Sequence, residues 1–396
     1  MLHRSASNFF AVILLTATAC SNGSVSPSST ATISSALGRS SGKIQHIVIV
    51  MQEGRSFDNL FCGYQGADGK CARQTIPLEA NCTLYDTFQN FEHDRKTGKF
   101  NTMADCPGYQ RPHYAYVPSS ELSPYYQLAQ QYVLGDKMFS STGNPTFEAH
   151  QYLIAAQSGA ENEPYGKVSD GCVYHQRVAL LKGGQIDACF SYTTLADELN
   201  AAGLTWSYYR TADPKERIVN SWDAYGWIKG GSSGTSPSSK FIQDVGSGKL
   251  SSVTWVTPAF ADSDLSRALS CSGPSWVAAV VNAVGESQFW NTSAVVILWS
   301  GFGQWYDHVK PPYIDEESLG FRVPVLVVSP YARSGYVDHT QFETASALKF
   351  IEGTFGLAPL AASDSRANDF ATSALDFHQQ PRAFVPIQGG SNCMRR

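Results

Sequence analysis

The chain has 396 residues, 43% hydrophobic and 12% aromatic, enough for a sizeable core in one large α/β domain or two smaller ones. Its formal net charge is −5, from 29 Lys and Arg against 34 Asp and Glu, and no basic run stands out. That balance argues against nucleic acid as a partner and leaves room only for a locally held anion.

In chain order, residues 1–19 read as a signal peptide. His3-Arg4 precede an apolar run from Phe9 to Leu15, too short to span a bilayer as a mature helix, and small residues lead up to Cys20. Small residues directly before a cysteine resemble a bacterial lipoprotein cleavage site, with Ala17 where leucine is preferred, so Cys20 is a candidate lipid anchor. Residues 20–42 are dominated by Ser, Thr, Ala and Gly and form a tether, and 43–396 form the folded domain. The expected location is the bacterial periplasm, the outer membrane or cell surface as a lipoprotein, or the medium. No transmembrane span is read in the mature chain.

Of the nine cysteines, eight remain if Cys20 carries lipid, an even number suited to an oxidising compartment. Short loop closures favour Cys62–Cys71, Cys82–Cys106 and Cys172–Cys189, leaving Cys271–Cys393 to pin the C-terminus. The absence of any C-x-x-C spacing argues against a cysteine metal site.

His46 to Met51 is an apolar, β-branched run that fits a buried strand, and it ends in Gln52-Glu53-Gly54-Arg55. In open α/β sheets ligands gather outside the carboxyl ends of strands, so Glu53 is a site candidate; the alternative is a plain surface pair of Glu53 with Arg55. Residues 59–120 carry little periodicity and read as a long excursion stapled by two disulfides. Leu122 to Leu134 has helical spacing, residues 140–146 form a loop of small residues, and Phe147 to Ser158 reads as a helix bounded by Thr146. Leu195–Ala202, Trp276–Val284 and Thr344–Phe355 read as helices, and residues 229–239 as a flexible surface loop. Thr205–Tyr209, Ser252–Thr257, Ala294–Trp299 and Val323–Ser329 read as strands. Apolar strands alternating with helices predict an α/β fold with a mostly parallel sheet covered on both faces.

Four segments, in order, carry a resemblance. They are Gln52 to Phe61 (QEGRSFDNLF), Gly143 to His150 (GNPTFEAH), Trp305 to Pro312 (WYDHVKPP), and Val323 to Arg333 (VPVLVVSPYAR) with Val337-Asp338-His339-Thr340. Together they resemble the bacterial phosphoesterase family that contains acid phosphatases and phospholipases C, from about residue 43 to about 357. The resemblance implies an alkaline-phosphatase-like α/β fold. It also implies a divalent metal ion and a Ser or Thr nucleophile, here Thr146, that attacks phosphorus. A cation favours the deprotonated hydroxyl and shields the phosphate charge. On residue type alone, Thr146 reads as an ordinary helix cap rather than a nucleophile.

The same resemblance exposes a depleted cation site. Glu53 is kept, but Gly54 stands where the family has Asn, and Ser300 and Gly301 replace two adjacent acids. No Asp or Glu occurs in residues 294–304, and no histidine between His175 and His308, where the family has an active-site histidine near Asp262 and Asp264. One carboxylate with hydroxyls is a poor set for a hard cation, so this chain is expected to hold weakly, or to lack, the family's metal. His93 falls at a substrate-side position, and His150 lies one helical turn beyond Thr146, where it either faces the rim or packs. Arg55, Asp307 and His308 stand behind the ligand positions, and His339 reads as scaffold. The implied function is hydrolysis of a phosphate ester, small molecule or phospholipid, with weak or absent standard activity. The alternative is a non-catalytic ligand- or partner-binding lipoprotein on the same fold. A third course is metal-independent chemistry by Thr146 with His150 or His93 as base.

Overall fold

The computed structural model describes residues 42–84, 87–100, 104–143, 146–158, 164–165, 177–180, 185–187, 192–210, 235–265, 272–301, 303–314 and 319–389. The expected signal peptide, the tether up to residue 41, Cys20, and the pairings Cys172–Cys189 and Cys271–Cys393 lie outside them. Cys62–Cys71 and Cys82–Cys106 are both formed, within the excursion that sequence spacing assigned to them.

Nine strands build the central sheet: β1 (His46–Glu53), β2 (Val133–Phe139), β3 (Trp206–Arg210), β4 (Thr235–Pro237), β5 (Val253–Val256), β6 (Ser293–Ser300), β7 (Arg322–Val328), β8 (Tyr336–Asp338) and β9 (Phe342–Glu343). Their order is β4-β3-β5-β1-β6-β7-β2-β8, with β9 also on β2. Every pairing is parallel except the two made by β7, which runs against β6 and β2. The strands β1, β6 and β7 are buried along almost their whole length. Continuous Val, Ile and Leu runs of this kind suit a sheet covered on both faces. Pro324 lies in β7 without a backbone donor, and the β7–β2 register shifts between Val323 and Val325, where a missing N–H is tolerated. Opposite it, a Cβ on Gly135 would lie 2.5 Å from Val325 Cγ1, so the close approach of β2 requires glycine there.

The helices that matter for the site are α1 (Phe57–Phe61), α2 (Phe88–Thr97), α3 (Ser123–Gln131), α4 (Thr146–Gln151), α5 (Leu195–Ala201), α6 (Lys240–Gly246), α7 (Gly273–Gly285), α8 (Ser346–Phe355) and α9 (Ala362–Arg366). Strand side chains alternate between faces. Trp299 of β6 packs edge-on to Tyr125 of α3, on one face. Trp255 of β5 donates to the Leu153 carbonyl just beyond α4, on the other.

Three elements differ from the expected pattern. The predicted helix Leu122–Leu134 stops at Gln131, and its last residues open β2, because sheet pairing with Leu326 and Val327 outweighs local helical spacing. The predicted helix Phe147–Ser158 is a short one, Thr146–Gln151, continued by turns. Within the loop expected at 229–239, Thr235–Pro237 pairs with β3 as an edge strand, while residues 229–234 lie outside the described set. Among the described residues no helix is long and apolar enough to cross a membrane.

Candidate active site

Strands β1 and β6 run in parallel register, with Glu53 opposite Ser300 at their carboxyl ends. Glu53 is wholly buried, and His150 and Ser300 are nearly so. The Ser300 hydroxyl donates to Glu53 Oε2, and His150 Nε2 lies 3.0 Å from Glu53 Oε1. The Ser300 hydroxyl thus holds one carboxylate oxygen, and the His150 imidazole stands within ion-pair distance of the other without an aligned hydrogen bond to it. The strand tip does not pair with Arg55, which turns away to a different set of partners.

The turns beyond both strands depend on glycine. Gly54 has φ +58°, and a Cβ there would lie 3.0 Å from Leu265 Cδ2 and 3.1 Å from Gln304 Oε1. Gly301 and Gly303 have φ +71° and +87°, followed by Gln304 at +56°, a conformation that non-glycine residues seldom adopt. At the positions where the resemblance leads one to expect Asn and two acids, this chain has two glycine turns and one hydroxyl.

The loop that leads into α4 is anchored on both sides. The Ser141 hydroxyl donates to Glu343 at 2.8 Å and accepts the Ala345 N–H at 3.0 Å, while the Ser141 N–H donates to Thr344 Oγ1. Arg366 holds Glu343 through Nε at 2.9 Å. From the other side Phe91 of α2 presses on Gly143, where a Cβ would lie 2.1 Å from the ring. Thr146 opens α4, although its side chain lies outside the described residues. His150, one turn later, is buried with its Nε2 3.0 Å from Glu53 Oε1. His93 is exposed on α2, two residues beyond Phe91.

On the opposite face of the same strand tips sits Asp264. Its Oδ2 accepts the Tyr125 hydroxyl and the Trp299 indole N–H, both at 2.8 Å. Its backbone N–H donates to Gln52 Oε1, and its carbonyl accepts Arg55 Nε at 2.7 Å. Burial pushes the Asp264 carboxyl up to about 6, with the Arg55 charge opposing. Burial lowers Arg55 to about 10, against the attraction of Asp264. Arg55 is completed by Asn59 Oδ1, the Leu78 carbonyl and the face of Trp305. Asp264 is therefore not available to rebuild a cation site beside Glu53.

A second charged cluster, which sequence reasoning found only in part, joins Asp307 and His308 to Asp58 and Arg322. Arg322 Nε donates to Asp307 Oδ1 and its Nη2 to Asp58 Oδ1, both at 3.0 Å. His308 Nδ1 lies 2.8 Å from Asp58 Oδ2, and its Nε2 3.1 Å from Asp68 Oδ1. Burial raises the Asp307 carboxyl to about 6, opposed by Arg322. His339 likewise rests on buried Asp136 at 2.9 Å. Asp58 was not singled out from the sequence, although it stands inside the QEGRSFDNLF segment, and nothing local marks Arg322 as its partner.

Neither place fits a divalent cation. Among the described residues, Asp58, Asp307 and His308 are the one group of acidic, His or Cys side chains close enough to share an ion. Their carboxylates, however, already take a buried guanidinium and several N–H donors. At Glu53 the Ser300 hydroxyl takes Oε2, the His150 imidazole stands beside Oε1, and Gly54 and Gly301 carry no side-chain ligand. A hard cation calls for several oxygen ligands, and among the described residues Glu53 belongs to no cluster of three acidic, His or Cys side chains.

Comparison with known proteins bears on this geometry. The non-hemolytic phospholipase C of Burkholderia pseudomallei is 22% identical over 79% of this chain and 55% of its own length. Phospholipase C A of Mycobacterium tuberculosis is 22% identical over 87% of this chain and 79% of its own. Non-specific phospholipase C1 of Arabidopsis thaliana is 24% identical over 80% and 68%. The chain spans about half the length of the Burkholderia and Pseudomonas relatives. A solved protein of the alkaline phosphatase superfamily from Vibrio parahaemolyticus superposes at TM-score 0.42 and 8% identity, over 82% of this chain and 71% of its own. The sequence profile of the Phosphoesterase family matches residues 44–358, from the first residues of the folded core to beyond α8. On that match, which spans both charged clusters, the chain belongs to the phosphoesterase family.

Proposed function

We propose that this chain is an exported protein of the phosphoester-hydrolase class whose cation-assisted turnover is weak or absent, and that it holds a phosphate ester or phospholipid at the rim around Glu53. One observation carries the reading: the Glu53 carboxylate is engaged by His150 and Ser300 instead of by further oxygen ligands for a cation. Membership of the family and relatives named phospholipase C support the ligand class. In this reading Thr146 and His93 face the ligand, Arg55, Asp307 and His308 support the rim, residues 1–19 are removed on export, and Cys20 carries lipid at the end of the 20–42 tether. Turnover of p-nitrophenyl phosphate and p-nitrophenylphosphorylcholine by the purified mature protein tests it, with and without EDTA. Robust turnover that EDTA abolishes and Thr146→Ala removes would overturn it.

The His150–Glu53 contact favours a second reading. An imidazole oriented by a buried carboxylate is suited to act as a base, one helical turn from Thr146. Slow turnover that survives EDTA but disappears in Thr146→Ala would select it. No turnover at all, with retained phosphate-ester binding, would select the non-catalytic binder.

A further inference from the structure

The Glu53 carboxylate is wholly buried at the end of a central strand. A carboxylate out of water needs a counter-charge or strong donors, or it costs folding free energy. Family resemblance assigns that task to a divalent ion. Here His150 Nε2 sits 3.0 Å from Oε1, the Ser300 hydroxyl serves Oε2, and Gly54 and Gly301 contribute no side-chain oxygen. A cation at Glu53 would therefore meet an imidazole beside Oε1 and a hydroxyl on Oε2.

We propose that His150 has taken the cation's place at Glu53, so that an internal imidazole–carboxylate pair does the structural work of a metal ion and pins the short helix α4 to the tip of β1. The inference deepens the reading of a depleted cation site and rests on it. It makes a claim that reading does not: the chain is independent of metal because of one residue, and it becomes dependent when that residue is removed. Taking away the imidazole leaves a buried carboxylate with a single donor. A ligand that binds only the folded state then stabilises it by mass action.

The test is thermal unfolding of the mature protein in EDTA and in millimolar MnCl2 or CaCl2, with bound metal counted after desalting. The wild type is expected to melt at the same temperature in all three and to carry no stoichiometric metal. His150→Ala is expected to melt several degrees lower in EDTA and to recover in Mn2+ or Ca2+. His150→Gln, which keeps a side-chain N–H donor, is expected to behave as the wild type. If His150→Ala does not accumulate in soluble form, its refolding yield with and without Mn2+ provides the same readout. Equal loss of stability or yield with and without cation overturns the proposal, as does stoichiometric metal in the wild type that Glu53→Gln abolishes. Chelator-sensitive turnover in the wild type would instead overturn the reading beneath it, so the two failures are distinguishable.

Discussion

Asp264 Oδ1 lies 2.0 Å from the point that a Cβ on Gly273 would occupy. Gly273 is the first residue of α7, so a buried carboxylate rests directly on the amino end of a long helix, where the macrodipole favours negative charge. Its other oxygen holds Trp299, and its backbone holds Gln52. Gln52 and Trp299 are register partners, one step before Glu53 and Ser300. A single aspartate thus ties the tips of β1 and β6 to α3 and α7 from the face opposite the candidate site.

Gly273→Ala is the direct probe of that contact. The methyl group cannot be accommodated without moving Asp264 or the start of α7, and overpacking of this kind costs about 1–3 kcal/mol. Urea denaturation should show a lower midpoint with an unchanged slope. A midpoint equal to the wild type would mean that the carboxylate is not held where it is described.

Arg322 makes a larger prediction. It is fully buried against Asp58, Asp307 and the ring of Phe57. Arg322→Met removes the counter-charge of two buried carboxylates, and breaking one side of a buried ion pair costs about 3–5 kcal/mol. Adding Asp307→Asn to that variant should return part of the loss, because one of the stranded charges is then gone. Strict additivity of the two changes would show that the residues do not act as a network.

How much of this was legible beforehand depends on the range of the interaction. The strand His46–Glu53, its neighbour Ala294–Trp299 and the next strand in the sheet, Val323–Ser329, could be read from apolar runs, because a strand buried on both faces carries no polar alternation. The strand Val133–Phe139 could not: Gly135, Asp136 and Lys137 interrupt its pattern, and it is a strand because of what β7 and β8 offer it. At the site, the sequence itself shows that no Asp or Glu occurs in residues 294–304, which include Ser300 and Gly301. The inward turn of His150 was not legible there, since helical spacing places it near the rim without saying which way it faces. Nothing in the sequence places Asp264 on either face of the sheet; its contacts with Gln52 and Trp299, one step before Glu53 and Ser300, put it on the other face.

Acid–base behaviour offers a third prediction, away from the candidate site. Glu352 of α8 is almost fully buried; burial and the neighbouring carboxylates of Asp364 and Glu198 push it up to about 9, with Lys349 opposing. Its folded-state value lies above its unfolded one, so its contribution is complete below about pH 4.5. That contribution is lost as pH rises through about 9. Within that window the folded protein holds one extra proton, a slope approaching about 1.4 kcal/mol per pH unit. Glu352→Gln should be the more stable protein at pH 8.5 relative to its own stability at pH 5, compared with the wild type over the same interval. Parallel stability curves for the two proteins would rule this out.

The last prediction returns to the substituted ligand positions. Gly54 has φ +58°, a conformation that asparagine tolerates better than most residues, and the atoms a Cβ would meet are the ends of the Leu265 and Gln304 side chains. Gly54→Asn should therefore fold with a loss of about 1 kcal/mol or less. Ser300→Asp is different: it removes the hydroxyl that serves Glu53 and sets a second buried carboxylate directly opposite it. In EDTA that variant should melt well below the wild type. Combined with Gly54→Asn, it presents three oxygen-bearing side chains at one strand tip, and millimolar Mn2+ should restore much of the lost melting temperature by binding only the folded state. His150 competes for the same carboxylate, so His150→Ala in this background should lower the Mn2+ concentration needed for half of the recovery. If Mn2+ leaves the melting temperature of the combined variant unchanged, the two strand tips do not converge as their register indicates.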